Sequence, residues 1–176
     1  KAFIDREIYL IPNGVDAEHF KPMERNAGLA EAVGLLEGKK KDERSLVVGF
    51  VGELREKKGL KTLLFAYAQV NKRQPTILLI VGEVRAGEDK QSFDDFLASN
   101  PNSKIIVTSY VPPTDMPAYY SLIDVLVHPS LRDGMPNAVL EAMACEKAVI
   151  ATPVGGILDV LENGKNGVIV NVNDAT

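Results

Sequence analysis

The chain has 176 residues, 45% of them hydrophobic and 25% charged, so it can form one globular domain with a full hydrophobic core. Its net charge of −4 disfavours a nucleic-acid backbone as the main partner, and no apolar run approaches the length of a membrane span. The single cysteine, Cys145, excludes an internal disulfide and favours a cytoplasmic location, while two histidines and no Cys/His cluster predict no metal site.

Short apolar stretches alternate along the chain with segments of helical periodicity. We predict strands at residues 46–51, 77–81, 105–107, 125–127, 148–151 and 168–170. We predict helices at residues 27–36, 60–71, 92–99, 115–121, 137–145 and 157–161. This alternation is typical of an α/β fold, a doubly wound, mainly parallel, six-stranded Rossmann-like sheet with helices on both faces.

The expected strand order of such a sheet is 3-2-1-4-5-6, with the strands numbered along the chain. In this order the chain reverses direction between strands 1 and 4, and ligands bind beyond the carboxyl ends of the strands at that point. The loop after the first strand covers residues 52–59, and the loop after the fourth covers residues 129–136. We therefore predict a binding crevice where these two loops meet.

A polar loop followed by an apolar helix is the most informative stretch of the sequence. Residues 137–145 are almost wholly apolar, which predicts a buried helix, yet Glu141 lies in its middle. A buried carboxylate needs a hydrogen-bonding partner or a ligand. Ahead of the helix, Asp133 begins a sharp polar turn, and Asn137 is the candidate N-cap.

This arrangement suits a nucleotide-sugar ligand. A ligand can approach the backbone closely at Gly134, and the start of the helix offers free N–H groups and positive potential to an anion. The carboxylates of Asp133 and Glu141 flank that anion site, so they would bind sugar hydroxyls while the amides bind phosphates. The alternative for Glu141 is a buried glutamate satisfied by backbone amides, with a glycine turn that only starts a core helix.

The same stretch resembles the E-x7-E motif of the retaining glycosyltransferases of family 4, with Asp133 in the first acidic position and Glu141 in the second. The family usually reads P-S-x-x-E-G-x-x-x-x-x-L-E-A-M-A, followed by a short strand ending in A-T and then G-G. The matching residues are Pro129, Ser130, Asp133, Gly134, Leu140, Glu141, Ala142, Met143, Ala144, Ala151, Thr152, Gly155 and Gly156. Because the match is long and ordered, we treat it as specific.

A second resemblance covers residues 52–59, which begin with Gly52 and are similar to the family's G-R-L-x-x-x-K-G. In the family, the arginine and lysine of this segment contact the donor diphosphate. Lys58 stands at the lysine position, and its alternative is a solvated lysine at a helix start. Glu53 stands at the arginine position, where a carboxylate would repel a diphosphate. Arg55, two residues on, is the candidate replacement for the missing arginine.

Shorter resemblances extend over most of the chain. Residues 13–16, N-G-V-D, resemble the family's passage into its second domain, and their alternative is a simple Asn-Gly turn. Residues 110–112, centred on Val111, resemble the segment whose backbone contacts the nucleotide base. Residues 116–120 resemble L-P-x-x-Y, and we assign their two tyrosines to packing. His128 is either a site residue or a structural histidine whose hydrogen bonds are made within the fold.

The resemblance implies that residues 23–176 are the donor-binding domain of a longer protein with two Rossmann-like domains, the GT-B architecture, and that residues 1–22 are the interdomain segment. It assigns Glu141 to the ribose hydroxyls, Lys58 to the diphosphate, and Asp133 to the transferred sugar. Asp133 and Lys58 are the expected catalytic residues, and no metal or other cofactor is expected. The expected donor-binding residues are Gly52, Arg55, Lys58, Val111, Asp133, Gly134, Met135, Pro136, Asn137 and Glu141.

The implied function is transfer of a hexosyl group from a nucleoside-diphosphate sugar to an acceptor held by the missing N-terminal domain. We expect the fragment alone to bind nucleotide weakly and to transfer no sugar, and peripheral membrane association of the full-length protein stays open. Glu53 and Asp133 motivate one alternative, a non-catalytic nucleotide- or partner-binding domain of the same fold. Another alternative is a sugar-nucleotide epimerase or a glycogen phosphorylase-like enzyme. A phosphorylase needs a lysine that carries pyridoxal phosphate, and no lysine of this sequence lies in a segment that indicates this role.

Overall fold

The computed structural model describes residues 9, 11–36 and 45–175. Within these residues, helices and strands alternate along the chain. The strands are β1 (Leu46–Val51), β2 (Thr76–Val81), β3 (Lys104–Val107), β4 (Val125–His128), β5 (Ala148–Ala151) and β6 (Val168–Ile169). The helices are α1 (Ala27–Ala32), α2 (Leu60–Arg73), α3 (Glu88–Ser99), α4 (Met116–Leu122), α5 (Asn137–Ala144) and α6 (Ile157–Val160).

The strands form one parallel sheet in the order β3-β2-β1-β4-β5-β6, which confirms the predicted order and the Rossmann-like fold class. β1 and β2 pair over their whole length, from Leu46 opposite Thr76 to Val51 opposite Val81. All residues of β2 are buried, as expected for a central parallel strand that is covered on both faces. The loops that follow β1 and β4 therefore leave adjacent strands at the same edge of the sheet.

Two apolar clusters cover the two faces of the sheet, because alternate residues of β2 belong to different clusters. Leu78 and Ile80 face the helices α2 and α3, and one apolar face of α2 is buried there from Leu60 to Tyr67. Leu79 on the opposite face belongs to the cluster that includes residues of α4, α5 and α6. Among the described residues, no helix combines the length and apolar character needed to cross a bilayer.

Several predicted helix ends differ from the structure. α3 begins at Glu88, about one turn before the predicted start, where two acidic residues occupy its first turn and interact favourably with the helix dipole. The helix predicted at residues 27–36 ends at Ala32, and residues 37–44 lie outside the described part of the chain. The prediction of Asn137 as N-cap is wrong, because Asn137 is the first helical residue of α5 and no side chain caps this helix.

Candidate functional site

The loops after β1 and β4 are in direct contact, as their positions in the sheet predict. The Leu131 amide donates a hydrogen bond to the Lys57 carbonyl oxygen at 3.0 Å. Gly59 has a φ of 81°, and a Cβ at this position would lie 2.1 Å from the carbonyl oxygen of Pro129. Only glycine permits this close approach of the two backbones. Gly59, which follows Lys58, therefore allows the two loops to pack against each other.

Asp133 lies at the centre of a cluster of polar side chains. Lys58 Nζ is 2.5 Å from Asp133 Oδ2, and His128 Nε2 is 2.8 Å from the same oxygen. Ser130 Oγ lies 3.0 Å from His128 Nε2 and 3.4 Å from Asp133 Oδ2. The other carboxylate oxygen accepts a hydrogen bond from the Gly134 amide at 3.0 Å. The lysine and the aspartate that the sequence assigned to one site are therefore in contact.

The surroundings of this cluster shift two pKa values. Burial lowers the pKa of the His128 imidazole, although the hydrogen bond to Asp133 acts in the opposite direction. Burial alone would raise the pKa of the Asp133 carboxyl, but the hydrogen bond and charge of Lys58, together with His128, hold it below its ordinary value. A neutral imidazole with its proton on Nε2, as these neighbours require, donates to the carboxylate.

We expect the buried histidine to make the protein less stable in mild acid. In the unfolded chain the imidazole takes up a proton near pH 6.5, whereas the lowered pKa of His128 delays protonation in the folded protein. The unfolded state therefore binds more protons as the pH falls below that value, and the free energy of unfolding decreases. Asp133 acts similarly at lower pH, because its stabilising contribution is lost as the pH falls through its depressed pKa.

Urea unfolding of His128→Gln between about pH 7 and pH 5 tests this prediction. The free energy of unfolding should depend less steeply on pH in this variant than in the wild type. His19→Gln is the matched control, since it removes an exposed imidazole that lies outside the Lys58–Asp133 cluster. Identical slopes for the wild type and His128→Gln would contradict the assignment.

The Glu141 carboxylate is held by a side chain and not by backbone amides. Tyr120 Oη donates to Glu141 Oε2 at 2.7 Å and lies 3.2 Å from the carbonyl oxygen of Ala138. Burial and the adjacent Glu141 charge raise the pKa of Tyr120, so its hydroxyl keeps the proton that it donates. The assignment to packing is confirmed for Tyr120, which is fully buried in the core, and its hydroxyl in addition holds Glu141. Glu141 Oε1 has no hydrogen-bond partner among the described residues, which leaves it available to a ligand.

Replacing Tyr120 with phenylalanine should lower the free energy of unfolding by about 1–3 kcal/mol, because it removes the donor from a partly buried carboxylate oxygen. Urea denaturation measures this change. Tyr119→Phe on the same helix is the control, because no hydrogen bond of the Tyr119 hydroxyl is seen within the described chain. Equal stabilities of the two variants would show that the hydroxyl of Tyr120 contributes nothing.

The start of α5 carries free backbone amides. The side chain of Asn137 does not cap the helix, and its Oδ1 accepts a hydrogen bond from Asn13 Nδ2 at 3.0 Å instead. Within the described part of the chain, the amides of Asn137 and Ala138 have no hydrogen-bond acceptor. These N–H groups and the positive end of the helix dipole can bind an anion beside Lys58 and Asp133.

Two glycines after β5 support the loop that leads into α5. Gly156 donates its amide to the carbonyl oxygen of Gly134 at 3.0 Å. Gly155 has a φ of 59°, and a Cβ there would lie 1.7 Å from the same oxygen. The G-G pair of the sequence pattern therefore packs behind the loop. A supporting role for these glycines was not predicted, since nothing in the local sequence indicates which loop approaches them.

Gly52, the side chain of Arg55, and Val111 make their contacts away from the Lys58–Asp133 ion pair. Arg55 forms an ion pair with Glu53, with Nη1 3.2 Å from Oε2, so the unexpected carboxylate is neutralised within its own loop. Gly52 donates its amide to a carbonyl oxygen at the end of β2 at 2.9 Å. Val111 packs against the core beyond β3.

The model of the family described as glycosyl transferases group 1 matches residues 35–176. The capsular polysaccharide biosynthesis glycosyltransferase CapM of Staphylococcus aureus is 33% identical over 135 residues, which are 74% of this chain and 34% of CapM. A D-inositol 3-phosphate glycosyltransferase of Arthrobacter sp. strain FB24 is 31% identical over 172 residues, which are 96% of this chain and 39% of that relative.

Sucrose-phosphate synthase from Thermosynechococcus elongatus has a similar structure, with a TM-score of 0.75 at 28% identity, over 95% of this chain and 40% of the synthase chain. The chain thus spans less than half the length of each of these three proteins. The family match covers most of the chain, and the fold agrees with it. The chain belongs to the glycosyl transferases group 1 family.

Proposed function

We propose that this chain is the donor-binding domain of a retaining, family 4 glycosyltransferase, and that the sheet edge formed by the loops after β1 and β4 binds a nucleoside-diphosphate sugar. The observation that carries the proposal is the contact of Lys58 with Asp133, 2.5 Å, at the uncapped start of α5. A cation and free amides suit a diphosphate, and carboxylates suit sugar hydroxyls. Glu141, one turn into the same helix, has an oxygen available for the ribose.

In this proposal Lys58 stabilises the charge that develops on the leaving nucleoside diphosphate as the anomeric bond breaks. The amides of Asn137 and Ala138 bind the same phosphates through the positive end of α5. Without a donor, Lys58 uses Asp133 as its counter-ion. Donor binding would move the lysine contact to a phosphate, while His128 keeps Asp133 oriented toward the sugar hydroxyls.

The acceptor and the second half of the active site belong to the longer protein. We propose hexosyl transfer with retention for that protein, and nucleotide binding without transfer for the 176-residue chain. No metal ion takes part in the proposal. The described residues contain no group of three or more His, Cys, Asp or Glu side chains that could hold one.

A ligand panel tests the proposed function. Calorimetry of the full-length protein with UDP, GDP and their sugar conjugates should find at least one ligand that binds, and its diphosphate should bind more tightly than the monophosphate. The anomeric configuration of the product, followed by proton NMR during turnover, tests retention. Absence of binding for every nucleotide and sugar nucleotide would refute the proposal.

One observation favours a second candidate, a non-catalytic nucleotide- or partner-binding domain of the same fold. Glu53 occupies the position of the family's phosphate-binding arginine, and Arg55 is tied to it. If the site still serves a diphosphate, Glu53→Arg should tighten nucleoside diphosphate binding about ten-fold, since it adds a charge-assisted contact. Glu53→Gln is the matched variant, because it removes the negative charge without adding a positive one. Absence of binding of every nucleotide and sugar nucleotide to all three proteins would favour the partner-binding form of the second candidate.

A further inference from the structure

The start of α5 departs from what its sequence favours. Asparagine is among the strongest N-cap residues, and Asn137 follows a proline that cannot continue a helix upstream. In the structure Pro136 takes the N-cap position, and Asn137 is already helical. Its side-chain oxygen, which would otherwise accept from a first-turn amide, accepts from Asn13 Nδ2 at 3.0 Å.

We propose that Asn13 is a positioning residue of the donor site. It holds the Asn137 side chain away from the first turn of α5 and so keeps the amides of that turn open to the diphosphate. The inference rests on the proposed function, because the diphosphate is the anion that the amides receive. Asn13 itself touches no substrate.

The geometry of the contact gives Asn13 this effect. Its single amide group donates to two acceptors, Asn137 Oδ1 and, at 3.3 Å, the carbonyl oxygen of Met135. These acceptors lie on either side of Pro136, so one side chain fixes both ends of the bend ahead of the helix. Without this donor, Asn137 Oδ1 would take its preferred partner, an amide of the first turn. The oxygen would then occupy the place that a phosphate oxygen needs.

The segment that carries Asn13 is anchored to the domain at its other end. Phe20 is buried and packs edge to face on Tyr120, with ring centroids 6.0 Å apart. Tyr120 in turn holds Glu141. Asp16 accepts from the Glu18 amide at 3.0 Å and so orders the turn between the two contacts. The segment thus reaches the phosphate side of the site through Asn13 and the ribose side through Phe20.

A double-mutant cycle on the full-length protein tests the inference. With UDP and GDP as titrants, Asn13→Ala should weaken diphosphate binding about five-fold in the wild-type background, which is the size expected for a competing helix cap. In an Asn137→Ala background the same change should alter binding by about two-fold or less, because no capping side chain remains. Asn102→Ala, an exposed asparagine before β3, is the control. Equal losses in both backgrounds would overturn the inference.

Hydrogen exchange supplies a ligand-free readout. Asn13→Ala should slow exchange of the amides of Ala138, Val139 and Leu140, and the double variant should not show this protection. Faster exchange in Asn13→Ala would mean that Asn13 only stabilises the bend, and would refute the inference. If the wild type binds neither UDP nor GDP, the proposed function fails, while the exchange result still decides the role of Asn13.

Discussion

Under the proposed function, replacing Lys58 with methionine is expected to weaken nucleoside diphosphate binding about 10²-fold and to lower kcat of the full-length protein about 10²- to 10³-fold. The ammonium is the cation held at the bend ahead of α5, 2.5 Å from Asp133. Methionine keeps the length and apolar stem of lysine but removes the charge. In the proposed sugar transfer the leaving diphosphate gains charge in the transition state, so the effect on kcat should exceed the effect on binding.

Calorimetry with UDP and GDP and steady-state kinetics with the preferred sugar nucleotide measure the two effects. Lys57→Met is the matched control, since Lys57 is adjacent in sequence and exposed. Nucleoside binding without phosphates should be the same in both variants. If Lys58→Met bound diphosphates as the wild type does, the lysine would serve only as the counter-ion of Asp133.

The fold was predictable because its central strands are largely buried. In β2 the residues after Thr76 form a continuous apolar run, which is typical of a parallel strand that is covered on both faces. The contact of Lys58 with Asp133 was predictable for a related reason. Each residue follows a strand, and these strands are neighbours at the point where the strand order reverses.

The remaining contacts of the site depend on tertiary packing that local patterns do not encode. Asn13 and Asn137 are 124 residues apart, and only their meeting in the fold overrides the capping preference of Asn137. Tyr120 and Glu141 are 21 residues apart on different helices, so no helical spacing relates them. The apolar residues around Glu141 predicted that its carboxylate has a hydrogen-bonding partner, but only the structure identifies that partner as Tyr120.

Glu141→Gln provides the second large effect, a loss of about 10- to 100-fold in affinity for UDP or GDP. Tyr120 donates to one carboxylate oxygen, and the other is unpaired within the described chain and available to a ribose hydroxyl. A glutamine must present an NH₂ group either to the Tyr120 hydroxyl or to the ribose, and so loses at least one of these charge-assisted hydrogen bonds. Glu146→Gln, an exposed glutamate just after α5, is the control.

Deoxynucleotides separate ribose recognition from a general disturbance of the helix. The wild type should bind 2′- or 3′-deoxynucleoside diphosphates more weakly than the ribonucleotides, because a carboxylate oxygen then lacks its hydroxyl donor. In Glu141→Gln that preference should largely disappear, since the variant has already lost the contact. Loss of affinity by the same factor for ribo- and deoxynucleotides would place Glu141 outside the ribose site. Its carboxylate would then serve only as the partly buried acceptor of the Tyr120 hydroxyl.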